Sequence, residues 1–284
     1  MKLTLENCRH LTGPSLYFHS PGTVLDAYIS GVPVEEVVKC WQEKVHKLRE
    51  SVGWKQTPLT IRTSQNGVSL ALSASIDSVY SATELNKAAW NNTVAGLSGA
   101  TPEDFENIVA KLKANILQES DPDLLKLSEA AEAQGLQLLA DEETVTLGLG
   151  VGSKSWPAGQ LPTPEEVDWK SLRNVPIALI TGTNGKSTVG RLLASIVKAD
   201  GKVPGLTSTD WIQVGDEILD VGDYSGPGGA RAILRDTRVE FGVLESARGG
   251  MMRRGLGVTQ AQAGIITNVA EEHLGEYGVR SLAD

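Results

Sequence analysis

The sequence has 284 residues, a hydrophobic content of 40%, a charged content of 21% and a formal net charge of −9. These values indicate a globular protein with room for about two domains. The acidic balance argues against a nucleic-acid partner or an anionic membrane surface held by bulk charge. Cys8 and Cys40 lack metal or redox spacing, and no run approaches the roughly 18 apolar residues of a membrane span, so we expect a cytoplasmic protein.

The first 150 residues predict a smaller α+β domain. Helices are expected where apolar residues recur every three or four positions, and strands where they alternate. The predicted elements are short strands within 1–30, a helix at 34–52, strands at 59–63 and 68–74 joined by a turn at Gln65-Asn66-Gly67, a helix at 82–94, a helix capped by Thr101, a helix from Asp121 to Gly135, and short strands at 135–139 and 144–148. The histidines in this part have no ligand-like spacing, so we expect surface or packing roles for them.

Residues 151–175 predict a linker, because three prolines punctuate them and only a short helical turn at 165–172 is expected. Residues 176–284 then alternate between strand and helix, which predicts a parallel α/β sheet flanked by helices. The predicted elements are strands at 177–180, 203–207, 241–244 and 263–267, a hairpin of 212–214 with 218–221, and helices after Lys186 and at 226–235.

A glycine turn links the strand at 177–180 to the helix that follows. Its sequence is Thr181-Gly182-Thr183-Asn184-Gly185-Lys186-Ser187-Thr188. The N–H groups and dipole of a helix N-terminus favour an anion, so this junction predicts a phosphate site. Lys186 would neutralise the β- and γ-phosphates of a nucleotide, and the Ser187 hydroxyl would reach a magnesium ion. The general phosphate-loop pattern has a glycine at the position of Ile180. The alternative interpretation of this turn is that Gly-Lys-Ser occurs in a loop by chance.

Polar residues follow other predicted strands at the edge where parallel sheets bind ligands. Glu245 follows an apolar strand, and His273 comes shortly after the last one. Magnesium prefers oxygen ligands, so Ser187 and Glu245 suit it, with a surface carboxylate as the alternative for Glu245. On chemistry alone, His273 is equally a metal ligand or a structural hydrogen-bonding residue.

The run from Ser246 to Gly255 contains three arginines among its glycines. Arginine in a flexible backbone suits the recognition of carboxylates or phosphates, because its planar group can form two parallel hydrogen bonds. A solvated basic loop is an equal alternative for Arg248 and Arg253.

The glycine turn resembles the nucleotide loop of the Mur ligase superfamily, in which an asparagine precedes the Gly-Lys pair, as Asn184 does here. The likeness extends to the Mur-ligase-like half of the cyanophycin synthetase family. The segments that carry it, within residues 176–284, are Gly222-Asp223-Tyr224-Ser225-Gly226-Pro227, Ile233-Leu234-Arg235-Asp236, Leu244-Glu245-Ser246-Ala247-Arg248-Gly249-Gly250, Arg253-Arg254-Gly255-Leu256-Gly257 and Thr267-Asn268 to His273-Leu274-Gly275.

This resemblance implies ATP-dependent amide ligation, with ATP and Mg²⁺ as cofactors. A small-molecule or short peptide carboxylate would form an acyl phosphate, which an amino acid or amine would then attack. The resemblance implies catalytic roles for Lys186, Glu245 and His273. It further implies nucleotide binding by Gly182, Thr183, Asn184, Gly185, Lys186, Ser187, Thr188 and Asn268, metal binding by Ser187, Thr209, Glu245 and His273, and substrate binding by Ser225, Arg248 and Arg253. Glu272 stands where the family usually has aspartate, and Ser187 where it often has threonine.

Two departures from the pattern qualify the resemblance. Residues 9–14 and 135–150 look like the N-terminal opening of cyanophycin synthetases and the start of their ATP-grasp module, but that module does not continue here. The pattern of Mur ligases continues into a C-terminal domain that this sequence does not include, so we expect a fragment, with a natural truncation as the alternative. The alternatives are a nucleotide-binding regulatory or scaffold protein without ligase activity, and a kinase or nucleotidase of other lineage. Residues 1–150 could serve substrate binding or homo-oligomer contacts.

Overall fold

The computed structural model describes residues 1–64, 67–272 and 274–282. The predicted turn at Gln65-Asn66 and the predicted ligand His273 therefore lie outside the described residues. The described chain forms two compact units, one of residues 1–120 with 274–282 and the other of residues 121–272. None of the helices in the described ranges is long and apolar enough to cross a bilayer.

The first unit is built on an antiparallel sheet. Its strands are β1 (Lys2–Leu11), β2 (Gly22–Ser30), β3 (Leu59–Ser64) and β4 (Gly67–Ser73). They lie in the order β1-β2-β4-β3, with a bulge between Leu5 and Asn7. The prediction of short strands before residue 30 is corrected, because β1 and β2 have ten and nine residues. The glycines and prolines at 13–14 and 21–22 confine the turn to the segment between these two strands.

Helices cover one face of this sheet, as the α+β prediction requires. They are α1 (Val34–Ser51), α2 (Val79–Ser98) and α3 (Phe105–Glu119). Trp41 and Trp90 are buried in the core between the helices and the sheet. The Trp41 indole N–H donates to the Asn86 side-chain oxygen at 2.9 Å, so the polar atom of this large side chain is satisfied.

The N-cap of helix α3 lies three residues after the position that the sequence predicts for it. The Asp104 carboxylate accepts the Asn107 N–H at 2.9 Å and caps the helix, which corrects the prediction of Thr101. At the other end, the Glu119 carboxylate accepts the N–H groups of Tyr80 and Ser81, each at 2.7 Å. The carboxylate therefore satisfies two donors in the first turn of α2.

The second unit opens with a helix and a small antiparallel sheet. The elements are α4 (Pro122–Ala133), β5 (Leu138–Ala140), β6 (Thr144–Leu147) and β7 (Lys154–Pro157). The sequence assigns residues up to 150 to the first domain and predicts a linker at 151–175, whereas residues 121–175 here form part of the second unit. The physical reason is burial, since Leu139 and Leu149 share one apolar core with Ile177.

The main sheet of the second unit mixes parallel and antiparallel strands. Its elements are β8 (Ile177–Thr181), α5 (Lys186–Ala199), β9 (Pro204–Thr207), β10 (Trp211–Val214), β11 (Glu217–Val221), α6 (Pro227–Leu234), β12 (Phe241–Glu245), α7 (Arg248–Arg254) and β13 (Ala263–Ile266). The strand order is β11-β10-β9-β12-β8-β13. The pairs β9-β12, β12-β8 and β8-β13 are parallel, whereas β10 and β11 form an antiparallel hairpin. The prediction of the α/β class is confirmed, whereas the sheet is mixed because β10 and β11 add antiparallel pairs to it.

The strand order fixes where the chain changes direction across the sheet. From β8 the chain passes through α5 to β9, and β12 later fills the place between them. The chain then adds β13 on the opposite side of β8. In open α/β sheets, ligands bind beyond the carboxyl ends of the strands at such a switch point. The strand order therefore predicts a ligand site at the carboxyl end of β8.

Apolar side chains alternate between the two faces of the main sheet. One face buries Ile180, Leu206 and Val243 beneath α5, and the other buries Ile177 and Leu244 with residues of α6. The predicted apolar face of α5 is covered only in part. Leu193 packs against the sheet, whereas Leu192 and Ile196 are 62% and 56% exposed.

Candidate functional site

The candidate site lies at the carboxyl ends of the parallel strands. The glycine loop of residues 182–185 follows β8, Thr209 lies beyond β9, Glu245 is the last residue of β12, and Thr267 and Asn268 follow β13. Parallel pairing aligns these strand ends, since Glu245 pairs with Ile180 and Ile266 pairs with Thr181. Sequence-predicted residues from four strand ends therefore share one edge.

Two glycines of the loop adopt backbone conformations that other residues rarely take. Gly182 has φ +132° and Gly185 has φ +84°. A Cβ atom at Gly182 would lie 2.2 Å from the Thr267 hydroxyl oxygen, so a side chain there would collide with the segment after β13. Gly185 is the N-cap of α5, with no side chain to bond the first N–H groups of the helix. The N–H groups of that first turn lack carbonyl partners within the helix, which is the condition for anion binding.

Lys186 and Ser187 begin α5, immediately after the loop. The Lys186 ammonium donates to the Thr183 carbonyl oxygen at 3.0 Å, so its charge lies beside the loop backbone. The Ser187 hydroxyl lies 3.4 Å from the Thr209 hydroxyl. The structure therefore brings together two residues that are predicted as metal ligands and lie 22 positions apart in the sequence.

Glu245 is the most unusual residue at this edge. It is 2% exposed, which excludes the alternative of a surface carboxylate. Its backbone N–H donates to the Thr207 hydroxyl at 3.0 Å, but neither carboxylate oxygen is hydrogen-bonded by another described residue. Burial raises the pKa of the Glu245 carboxyl, although the nearby Ser187 hydroxyl and Lys186 charge oppose that rise. A buried carboxylate without a partner is costly and indicates a missing cation or donor.

The donor set fits magnesium in a nucleotide-dependent site. Within the described ranges, no group of three or more His, Cys, Asp or Glu residues could hold a metal by itself. The oxygens next to the first turn of α5 include the Glu245 carboxylate and the hydroxyls of Ser187 and Thr209. Magnesium is commonly held by one or two carboxylates together with substrate phosphates and water. The predicted ligand His273 lies outside the described residues, so its place in such a site stays a prediction.

The predicted substrate residues occupy a loop and a short helix next to the site. The arginine-rich run is helical as α7, which corrects the prediction of a flexible loop. Arg253 is exposed, whereas the Ser225 hydroxyl is buried and donates to the Asp223 carboxylate at 2.6 Å. A Cβ atom at Gly250 would lie 2.9 Å from the Ser225 carbonyl oxygen, so the helix and the loop touch through their backbones.

Sequence reasoning missed two supporting residues of the site, Thr207 and Thr267. The Thr207 hydroxyl accepts the Glu245 N–H, and the Thr267 hydroxyl donates to the Asn184 carbonyl oxygen at 2.7 Å. Each lies at the carboxyl end of a parallel strand, and this position is the sequence feature that could have identified them. Their partners are backbone groups, so no spacing of side chains indicates this supporting role.

Part of the chain is similar in sequence to known proteins. Residues 180–281 match the Mur ligase middle domain. The resemblance of this part of the chain to the Mur ligase family, which the sequence predicts from the glycine loop, is thereby confirmed. The matched range begins in β8 and contains the loop, Glu245 and Asn268.

The particular relatives lie in two groups. The cyanophycin synthetases of Geminocystis herdmanii and Trichormus variabilis are 54% and 52% identical over 101 residues, which cover 36% of this chain. A UDP-N-acetylmuramoyl-L-alanyl-D-glutamate--2,6-diaminopimelate ligase of Leptospira borgpetersenii is 30% identical over 107 residues, again 36% of this chain. The chain spans only 11–12% of the two cyanophycin synthetases and 21% of the Leptospira ligase.

Proposed function

We propose that this chain carries the nucleotide- and magnesium-binding part of an ATP-dependent carboxylate–amine ligase. The observation that carries the proposal is the buried Glu245 carboxylate, which no described residue bonds and which lies near the Ser187 hydroxyl and the Lys186 charge. These groups stand at the N-terminus of α5, where phosphate binding is favoured. The similarity of this segment to named ligases and synthetases supports the reaction class.

In the proposed reaction, an acid and an amine are joined in two steps. A carboxylate oxygen of the acid attacks the γ-phosphorus of ATP, ADP leaves and an acyl phosphate forms. The amine nitrogen then attacks the acyl carbon, inorganic phosphate leaves and the nitrogen loses a proton. Catalysis of this kind depends chiefly on positioning and on the stabilisation of phosphate charge.

The chain's own residues would supply that positioning. The first turn of α5 would bind the phosphates through its N–H groups, and Lys186 would leave the Thr183 carbonyl to neutralise the β- and γ-oxygens. Ser187, Thr209 and Glu245 would hold magnesium, which supplies positive charge to the phosphates when bound. Arg248 and Arg253, on α7, are proposed to bind carboxylate groups of the acid or of an incoming amino acid. His273 is proposed as a further metal ligand.

Calorimetric titration with magnesium and a non-hydrolysable ATP analogue tests the proposal. The wild-type chain should bind the analogue only when magnesium is present, and Lys186→Ala should weaken binding by about tenfold or more, since a charge-assisted contact is lost. Lys198→Ala is the matched control, because Lys198 lies on the same helix but pairs with the exposed Asp216. A folded wild-type chain that binds no analogue, or a Lys186→Ala variant that binds normally, would reject the proposed site.

A further inference from the structure

The backbone of the glycine loop is bonded to the segment that follows β13. The Thr183 N–H donates to the Asn268 carbonyl oxygen at 2.9 Å, and the Ala270 N–H donates to the Thr183 hydroxyl at 2.9 Å. The Thr267 hydroxyl reaches the Asn184 carbonyl at 2.7 Å. These bonds join positions more than 80 residues apart in the sequence. The loop therefore takes its shape partly from the 267–270 segment.

The Asn268 side chain makes the most specific of these contacts. Its oxygen accepts the Asn184 N–H at 3.0 Å, and its nitrogen donates to the Asn184 carbonyl oxygen at 3.0 Å. One side chain thus satisfies both backbone groups of one loop residue. Among side chains of this length, only the amide has a donor and an acceptor held in one plane at the required spacing.

These hydrogen bonds limit which groups of Asn184 and Asn268 are available to bind a nucleotide. The resemblance implies that both residues bind the nucleotide, but the Asn184 N–H and the Asn268 amide are bonded to each other. The N–H groups of the first turn of α5 have no carbonyl partners within the helix and remain for phosphate.

We infer that Asn268 is a positioning residue, which fixes the Thr183–Asn184 backbone for nucleotide binding and does not itself contact the nucleotide. This inference rests on the proposed nucleotide site. Gly182 supports it, because a Cβ atom there would also lie 2.8 Å from the Asn268 carbonyl oxygen. The close approach of the two segments is therefore built into the loop, and a preorganised loop binds its ligand without an ordering cost.

Hydrogen exchange on the whole chain without nucleotide gives the decisive measurement. Asn268→Ala should speed exchange of the Asn184 amide by about tenfold, as expected when a single hydrogen bond is lost. Asn268→Asp keeps the acceptor oxygen, so it should restore most of the protection at Asn184. A residue that only contacts the nucleotide would leave this exchange unchanged.

The chain offers a matched control in Asn174. Its side-chain oxygen accepts the Gln137 N–H at 3.1 Å, and its nitrogen donates to the Gly135 carbonyl at 3.0 Å, so it also bonds one backbone N–H and one backbone carbonyl. It precedes β8, whereas the loop follows that strand. Asn174→Ala should speed exchange at Gln137 and leave the loop amides unchanged. It should also leave magnesium-dependent affinity for the ATP analogue at the wild-type value, whereas Asn268→Ala should lower that affinity by about tenfold.

The outcomes distinguish a failure of the positioning role from a failure of the proposed function on which it rests. Unchanged loop exchange in Asn268→Ala would overturn the positioning role, and weakened binding alongside it would identify Asn268 as a direct ligand. Faster loop exchange with normal affinity would also overturn the role in nucleotide binding. A folded wild-type chain that binds no analogue would instead overturn the proposed function, whatever the exchange rates are.

Discussion

At the scale of single residues, Glu245 shows a conflict between stability and chemistry. Its carboxylate is buried at the end of β12 and accepts no hydrogen bond from another described residue. Burial raises the pKa of its carboxyl, which means that the surroundings penalise the charged form. A side chain kept for stability would be apolar or fully bonded at this position. Residues that break local rules in this way are expected at functional sites.

This conflict predicts opposite effects of Glu245→Gln on stability and on binding. The substitution removes a buried charge, so the melting temperature without ligand should stay level or rise, with a gain in unfolding free energy of up to about 1–2 kcal/mol. Magnesium-dependent affinity for an ATP analogue should fall by at least about tenfold, because an anionic ligand oxygen is lost. Differential scanning calorimetry and titration calorimetry measure the two effects.

Glu240→Gln is the control for this substitution. Glu240 precedes β12, at the opposite end from Glu245, and its carboxylate accepts the Val203 N–H at 2.9 Å. Glutamine can keep that bond, so affinity should stay at the wild-type value and stability should not rise. Wild-type magnesium-dependent affinity in Glu245→Gln would contradict the assignment of Glu245 as a metal ligand.

At the scale of secondary-structure elements, one arginine attaches the small sheet to α6. Arg235 donates to the Thr146 hydroxyl at 3.1 Å, to the Thr144 carbonyl oxygen at 2.7 Å and to the Asp141 carboxylate. Partial burial alone would raise the pKa of Asp141, but the hydrogen bonds from Arg235 and from the Thr144 N–H outweigh it and lower that pKa. The contact is therefore stronger when Asp141 is charged.

Asp141→Asn should make unfolding less dependent on pH. Because the folded-state pKa of Asp141 is lowered, the carboxylate stabilises the fold above the ordinary aspartate pKa of about 4, and this contribution is lost as the pH falls through the lowered value. The variant should be less stable than the wild type by at most about 1 kcal/mol near pH 7, since the side chain is 33% exposed. The difference should vanish at acidic pH.

Urea unfolding at several pH values measures this difference. Asp216→Asn is the control, because the Asp216 side chain is 81% exposed and its pair with Lys198 is expected to contribute little. An Asp141→Asn variant whose stability deficit persists at acidic pH would show that the loss comes from side-chain geometry and not from charge.

At the scale of the whole molecule, the sequence predicts the secondary-structure elements well, but it predicts poorly which elements pack together. Strong local signals gave β8, α5 and the hairpin of β10 and β11 within one or two residues. The grouping of residues 121–175 with the second unit depends on the apolar core that Leu139 shares with Ile177, which no local pattern records. The burial of α5 was overestimated for a similar reason, since periodicity places Leu192 on an apolar face but does not say what covers it.

For the candidate site as well, sequence reasoning identifies residues in local motifs and misses contacts between distant segments. Lys186 and Ser187 lie in one contiguous motif, and Glu245 stands at the end of an apolar strand, so sequence reasoning reaches all three. The bonds between Asn268 and Asn184 join segments 84 residues apart and become visible only when β13 pairs with β8. The resemblance therefore implies that Asn268 binds the nucleotide, whereas the geometry supports a positioning role.

The two units have separate cores, which leads to a prediction for the whole chain. Trp41 and Trp90 lie in the core of the first unit, whereas Ile177 and Leu244 lie in that of the second. The described residues of the proposed nucleotide site all belong to the second unit. An ATP analogue with magnesium, at about 100 times its dissociation constant, should stabilise a site-bearing unit by about 2.7 kcal/mol. Hydrogen exchange at the most protected amides should therefore slow in β8 and β12 and stay unchanged in β2 and β4, an effect that should be absent in Lys186→Ala. Equal slowing in both sheets would contradict the prediction, because it would mean that the two units unfold as one cooperative body.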